Sequence, residues 1–163
     1  MTNIYSLADY IVTLSFTDGD MTGYKISIGG PAEASGVSGS NPQGGFIGSI
    51  AVSRTNAAWS IDGDVTGGFV HNRNCSRIGE VVIQIRQVSD KVRALKQLLN
   101  TYEQSSRPRP FNILVTDAYN SSKWVAKCTS CLISKIPNQV FGESAAMQDW
   151  AFNAGIVEFN GEK

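Results

Sequence analysis

The stretch EVVIQIRQVSDKVRALKQLLNTYEQSSRPRPFNILVTDAY, residues 80–119, changes its hydrophobic period twice and decides the fold class. Its first part alternates apolar and polar residues, which is typical of a half-buried strand. From Ser89, a favourable helix N-cap, apolar residues recur at spacings of three and four and predict a helix over about residues 89–105. The stripe consists of Val92, Leu95, Leu99 and Tyr102. The RPRP motif then ends the helix, and alternation resumes at Phe111.

Strand patterns occupy most of the remaining chain. The predicted strands lie in residues 9–16, 23–29, 46–56, 57–70, 80–86, 111–119, 123–135 and 146–159. Many strands before and after one helix predict an α+β fold, mainly antiparallel β, built as a β-sandwich or barrel with the helix packed on it. The length fits a single domain over residues 1–163.

Composition narrows the classes of function. The chain has 14 basic and 14 acidic residues, and this neutral balance argues against a protein that mainly grips nucleic acid or an anionic membrane. No apolar run approaches the roughly 18 residues of a membrane span, and we expect no membrane partner. The amino terminus lacks the pattern of a secretory signal, so the three cysteines favour reduced thiols made in a cytoplasm.

A zinc site is the strongest chemical alternative, because His71, Cys75, Cys128 and Cys131 form a permissible ligand set. Cys128 and Cys131 lie three residues apart in a predicted strand, where their side chains are expected to point to opposite faces. We therefore expect structural thiols and neither metal nor cofactor. The sequence also lacks a G-x-S-x-G elbow and a phosphate-binding G-K-[ST] loop, so we predict that the protein is not an enzyme.

The long segment GGPAEASGVSGSNPQGG, residues 29–45, is unusual within a compact domain. Its composition cannot bury enough apolar surface to order itself, which predicts a flexible loop over residues 29–48. The loop carries a few anchors that a neighbouring molecule could cover, namely Pro31, Val37, Pro42, Phe46 and Ile47. A plain mobile linker is the alternative interpretation.

Four segments together resemble the tail tube proteins of contractile-tailed bacteriophages. They are YSLADYIVTLSF at the start, WSIDGDVTGGF, RPFNILVTDA after the helix, and AKCTSCLISKIPNQVFGESAAMQDWAFNAG near the end. The resemblance covers nearly the whole chain. It implies six-membered rings whose strands join into one barrel, stacked into a hollow tube that lies within a contractile sheath and carries DNA. Sheath, baseplate or initiator and tail terminator proteins are the implied partners, and the virion tail is the implied location after synthesis in the host cytoplasm.

The resemblance also implies roles for particular residues. The loop at 29–48 would contact neighbouring subunits and the next ring, and a second contact would come from Ile4, Tyr5 and Leu7. Lumens of such tubes tend to repel DNA, and residues 1–83 carry four basic but seven acidic side chains. The candidate lumen acids are Asp9, Asp18, Asp20, Asp62 and Asp64.

Two other functions fit the pattern. One is the tube protein of a bacterial contractile injection or secretion system, which the sequence pattern barely separates from a phage protein. The other is a stand-alone β-sandwich that binds carbohydrate, for which Trp59, Trp124 and Trp150 are the residues of interest. Each tryptophan lies in an alternating apolar pattern, so we expect all three in the core.

Overall fold

The structure is a computed structural model, and it describes residues 10–17, 23, 25–29, 47–87, 90–104, 109–117, 123–143 and 146–160. In chain order the elements are β1 Tyr10–Ser15, β2 Lys25–Gly29, β3 Ile47–Arg54, β4 Trp59–Gly63, β5 Phe69–Arg73, β6 Gly79–Arg86, α1 Asp90–Gln104, β7 Phe111–Asp117, β8 Trp124–Lys135 and β9 Met147–Phe159. The predicted α+β class is confirmed. Helix α1 begins and ends within one residue of the predicted boundaries. Within these described ranges, no helix has the length and apolarity needed to cross a membrane.

Seven strands form one antiparallel sheet in the order β2-β1-β7-β8-β9-β6-β3, and β4 and β5 form a separate two-stranded sheet. The predicted hairpins β1–β2 and β7–β8 are both present. The outermost strands of the large sheet are β2 and β3, and each has a single partner strand among the described residues. Such strands present unpaired backbone groups to further strands, which makes them natural sites of association.

The core lies between the helix and one face of the large sheet. Alternation in the strands puts Val12, Ile113 and Ile83 on this face, and α1 covers it with Val92, Leu95 and Leu98. Phe111 is the aromatic centre of the cluster, with ring centroids 4.9 Å from Phe16, 5.8 Å from Phe152 and 6.4 Å from Tyr102. Its contacts join β7 to the chain that follows β1, to β9 and to the last turn of α1.

The expected opposite orientation of Cys128 and Cys131 is wrong. Both side chains are buried in the core, because Ser130 adopts a left-handed conformation with φ of 56° and interrupts the alternation of β8. The pairing with β7 records this irregularity, since Ile113 pairs with Cys128 whereas Phe111 pairs with Cys131. Two residues of β8, Thr129 and Ser130, therefore oppose the single residue Asn112 of β7, which is the geometry of a β-bulge.

The reading of residues 57–70 as one extended segment is also wrong. The chain reverses between β4 and β5, because the Asp64 carboxylate accepts hydrogen bonds from the Thr66 amide, the Thr66 hydroxyl and the Gly68 amide. Gly67 lies in this turn with φ of 90°, a conformation that glycine adopts without strain. The result is a β-hairpin, and its turn coincides with an Asp-Gly-Asp motif of the kind typical of turns.

Candidate assembly surface

The hairpin formed by β4 and β5, here called the hairpin arm, lies outside the core. Every residue from 53 to 75 is exposed. The arm extends the ladder between β3 and β6, since the Thr55 amide donates to the Ile78 carbonyl at 3.0 Å and the Asn74 amide donates to the Ala58 carbonyl at 2.8 Å. An isolated two-stranded hairpin is marginally stable in water, so this arm gains by packing against another surface.

The two faces of the hairpin arm differ in chemistry. Directly paired residues of antiparallel strands share a face, which gives one apolar face made of Trp59, Ile61, Phe69, His71 and Arg73. The Arg73 guanidinium lies 5.8 Å from the centre of the Trp59 ring, and Phe69 meets His71 edge-on at 5.6 Å. The opposite face contains Ser60, Asp62, Val70 and Asn72. Three exposed large apolar side chains grouped on one face make it a candidate interaction surface.

The tip of the hairpin arm is ordered by a carboxylate. The pKa of Asp64 lies below its ordinary value of 3.8, because the Thr66 hydroxyl and the amides of Gly68 and Thr66 donate hydrogen bonds to the charged form. A lowered carboxyl pKa means that the turn is stabilised above pH 3.8 and loses this contribution as pH falls through the pKa in the folded chain.

We expect the backbone amide resonances of Thr66 and Gly68 to titrate together with a midpoint below 3.8 in NMR spectra. Asp64→Asn removes the titrating group, so the same resonances should lose this pH dependence. A midpoint at or above 3.8 in the natural chain would contradict the role of the carboxylate in the turn.

A second apolar projection, the loop arm, comprises residues 136–143 between β8 and β9. Phe141 is 85% exposed, and Ile136 and Val140 are also exposed. Two glutamines hold the loop: the Val140 amide donates to Gln87 Oε1 at 3.2 Å, and Gln148 Nε2 donates to the Asn138 carbonyl at 3.3 Å. The apolar side chains are therefore displayed on a tethered segment.

The two arms project from opposite ends of the sheet. In the pairing of β6 with β9, Gly79 faces Ala154 and Arg86 faces Met147. The hairpin arm precedes Gly79 and lies at the Ala154 end, whereas the loop arm precedes Met147 and lies at the other end. A molecule with different contact surfaces at its two ends is suited to heterologous, head-to-tail association, which grows into open filaments when it does not close.

The structure places only part of the predicted site. Asp62 and Asp64 both lie in the hairpin arm, where Asp62 Oδ2 accepts a hydrogen bond of 2.5 Å from Asn72 Nδ2. The remaining candidate acids, the amino-terminal contact and the anchors Pro31, Val37, Pro42 and Phe46 lie outside the described residues. Ile47 opens strand β3, and Gly29 closes β2. The assignment of these residues to the lumen or to assembly stays a prediction.

The apolar face of the hairpin arm and the loop arm were not predicted as functional. Trp59 was expected in the core but is 59% exposed, whereas Trp150 is fully buried as expected and Trp124 is half-buried. A usable signal was present in the pattern, because two short segments, each with two large apolar residues, flank a turn rich in aspartate and glycine.

The residues of the alternative zinc site are dispersed. His71 and Cys75 are exposed in and after β5, while Cys128 and Cys131 are buried. In the described part of the chain, no group of three or more His, Cys, Asp or Glu side chains is placed to hold a metal ion. Burial raises the pKa of Cys128 to about 11 and that of Cys131 to about 12, so both remain protonated at neutral pH.

We expect one thiol per folded chain, that of Cys75, to react rapidly with a thiol reagent at pH 8 in a spectrophotometric assay. Three thiols should react after denaturation. Cys75→Ser should leave the folded chain almost unreactive, because thiolates are the reactive species and the buried cysteines form few of them. Rapid reaction of Cys75→Ser would contradict the burial of the other two.

Comparison with known proteins identifies the family of this chain. The family model for the bacteriophage PhiTE tail tube protein matches residues 11–161. The chain belongs to this tail tube family. The resemblance in the sequence is thereby confirmed, and the role is that of a tube-type structural protein. No curated protein sequence matches the chain.

Solved structures share the fold of this tail tube family member at low sequence identity. A chain of the sheath–tube complex of an extracellular contractile injection system, PVC, aligns with TM-score 0.54 at 12% identity, over 95% of this chain and 90% of that one. A chain of the PVC sheath/tube terminator aligns with TM-score 0.58 at 11% identity, over 98% and 99%. A chain of the anti-feeding prophage tube-terminating cap gives TM-score 0.52 at 10% identity, over 98% and 94%.

Proposed function

We propose that this chain is the repeating subunit of a phage tail tube, assembling into hexameric rings that stack around a hollow through which double-stranded DNA passes. The role is structural and requires no catalysis. In this proposal the chain forms one domain, and the glycine-rich segment at 29–48 serves as an assembly loop. Membership of the tail tube family supports the proposal.

The observation that carries the stacking is the placement of two apolar arms at opposite ends of one sheet. Stacking brings the hairpin arm of one copy toward the loop-arm end of the next, and each contact then removes apolar surface from water. Among the described residues β2 and β3 each have one partner strand, and these outer strands support lateral association into rings, since joining strands across subunits leaves no unpaired edge.

The proposed partners are those that membership of the tail tube family implies. A sheath surrounds the tube, a baseplate or initiator starts it, and a terminator ends it. The similarity to a PVC sheath–tube complex and to two terminating proteins supports the sheath and terminator partners. DNA passes without specific binding, past a lumen whose acidic residues repel it, and the assembled product is part of the virion tail.

The same similarities favour a second candidate, the tube or terminator of a contractile injection system. Both structural neighbours from PVC belong to such a machine, and two of the three chains close a tube. A terminator differs from a tube subunit because it forms a closing ring and does not polymerise. The two candidates therefore differ in whether the rings they form grow into longer tubes.

Negative-stain electron microscopy of the purified chain over a concentration series, beside sedimentation velocity, tests the proposal. Hollow tubes that lengthen with concentration are expected. Single rings that never lengthen would indicate a terminator. A chain that remains monomeric at every concentration, even with preformed tube ends added, would overturn the proposal, and a melting temperature raised by carbohydrate would then favour the binding module.

A further inference from the structure

An apolar cleft of about 250 Å³ opens at the same end of the sheet as the hairpin arm. Its lining is mainly apolar and consists of Tyr10, Ile50, Val52, Val115, Val125, Ala126 and Phe159. Val115 pairs with Ala126 and Ala126 pairs with Phe159, the last residue of β9, which places this part of the lining at the end of the sheet away from the loop arm. Ile50 and Val52 lie in the middle of the ladder between β3 and β6. The cleft thus opens between β3 and the ends of β7, β8 and β9 that lie away from the loop arm.

We propose that this cleft receives the Phe141 side chain of the next copy in a stack. The inference rests on the proposed head-to-tail assembly and adds a specific contact to it. Phe141 projects from the loop arm at the far end of the sheet. When copies stack in one direction, the end that carries Phe141 faces the end that carries the cleft.

The size and chemistry of the two surfaces match. A cavity of about 150 Å³ lined by aliphatic and aromatic side chains accepts benzene, so a cleft of 250 Å³ has room for a phenyl ring. The lining supplies aliphatic groups from Ile50, Val52 and Val115 and an aromatic ring from Phe159. Aromatic side chains that enter a desolvated pocket are the typical energetic centres of protein interfaces.

Charge also matches across the proposed contact. At the cleft, Arg54 donates to the Val157 carbonyl through Nε at 3.1 Å and through a terminal nitrogen at 2.8 Å, and its guanidinium lies 5.8 Å from the Phe159 ring centre. The cation is thereby held beside the opening. On the loop arm, Glu143 is exposed two residues after Phe141. A cation beside the cleft and an acid near Phe141 favour this orientation over the reverse one.

Cysteine cross-linking of assembled chains tests the contact. The parent is Cys75→Ser, which removes the exposed natural thiol. Phe141→Cys and Val125→Cys are combined in it, since Val125 lines the cleft and is itself exposed. Each copy then carries both halves of the contact, so oxidation of tubes should produce a ladder of trimers and larger species on a non-reducing gel. Either single variant can yield dimers only.

A matched control places the first cysteine at Arg93, which is exposed on α1, and keeps Val125→Cys. This pair should give no ladder. A third pair, Leu7→Cys with Val125→Cys, examines whether residues preceding Tyr10 of the same chain enter the cleft. An intramolecular disulfide in the monomer would identify that occupant and overturn the inference.

The outcomes separate the inference from the proposed function. Tubes that form normally but give no ladder with the Phe141 and Val125 pair would overturn the cleft contact and leave the tube function intact. A ladder from the Arg93 control equal to that of the Phe141 pair would also overturn it. A parent chain that never assembles would overturn the tube function, and the inference with it.

Discussion

Replacing Phe111 with alanine is expected to lower the free energy of unfolding by about 3–5 kcal/mol, the usual cost of such a truncation in a core. The Phe111 ring is fully enclosed and contacts the rings of Phe16, Phe152 and Tyr102. Its removal leaves a cavity among three elements that are distant in sequence. A typical domain has only about 5–15 kcal/mol of stability, so this loss is a large fraction of the total.

Urea denaturation of the dilute, unassembled chain measures the effect, because association would add its own concentration-dependent stability. Phe141→Ala is the matched control, since it makes the same chemical change at an exposed position and should alter monomer stability by no more than about 0.5 kcal/mol. Equal denaturation midpoints for the Phe111 and Phe141 variants would contradict the central position of Phe111 in the core.

Hydrophobic periodicity correctly predicted those helices and strands that bury one face in the core of the same chain. The α1 stripe and the alternation in β1, β7 and β9 result from one face packing on one core, and periodicity reports directly on that arrangement. The predicted hydrophobic stripe of the helix differs from the buried face by one position, since Leu98 is buried more deeply than Leu99. Spacings of three and four residues fit either leucine, so the pattern alone does not decide which of the two faces the core.

The bulge in β8 could not be predicted in the same way. A prediction from alternation assumes that successive side chains point to opposite faces of the strand. Ser130 breaks that assumption through its own backbone conformation. The neighbouring strand β9 accommodates the bulge at Gly155, since a Cβ at this glycine would lie only 3.3 Å from the Ser130 Cβ. A close approach between strands is a tertiary property that the sequence of one strand does not reveal.

In the candidate assembly surface, too, the sequence of a single strand does not reveal what covers its apolar face. Trp59 and Phe69 have the alternation of core residues, and an interface between copies uses the same side chains as a core. Whether such a face is covered by the same chain or by another depends on where the hairpin projects. The acids Asp62 and Asp64 were singled out by charge, and the structure shows both engaged in hydrogen bonds within the hairpin arm.

Replacing Phe69 with asparagine is expected to raise the critical concentration for tube assembly by roughly 30-fold or more. Phe69 lies on the apolar face of the hairpin arm and is 66% exposed in the single chain. If the next copy covers it, the substitution removes an aromatic anchor, for which a loss of at least about 2 kcal/mol per contact is typical. The monomer should remain folded, because the residue lies outside the core.

The neighbouring residue provides the control that isolates the face from the arm. Val70→Asn changes an apolar side chain of similar exposure, 61%, in the same strand, but Val70 points to the opposite face. Both substitutions lower strand propensity and add the same polar group, so weakening of the hairpin itself would affect assembly equally. Pelleting assays over a concentration series should show a shift with Phe69→Asn that is much larger than with Val70→Asn. Equal shifts would mean that the apolar face makes no contact with another copy.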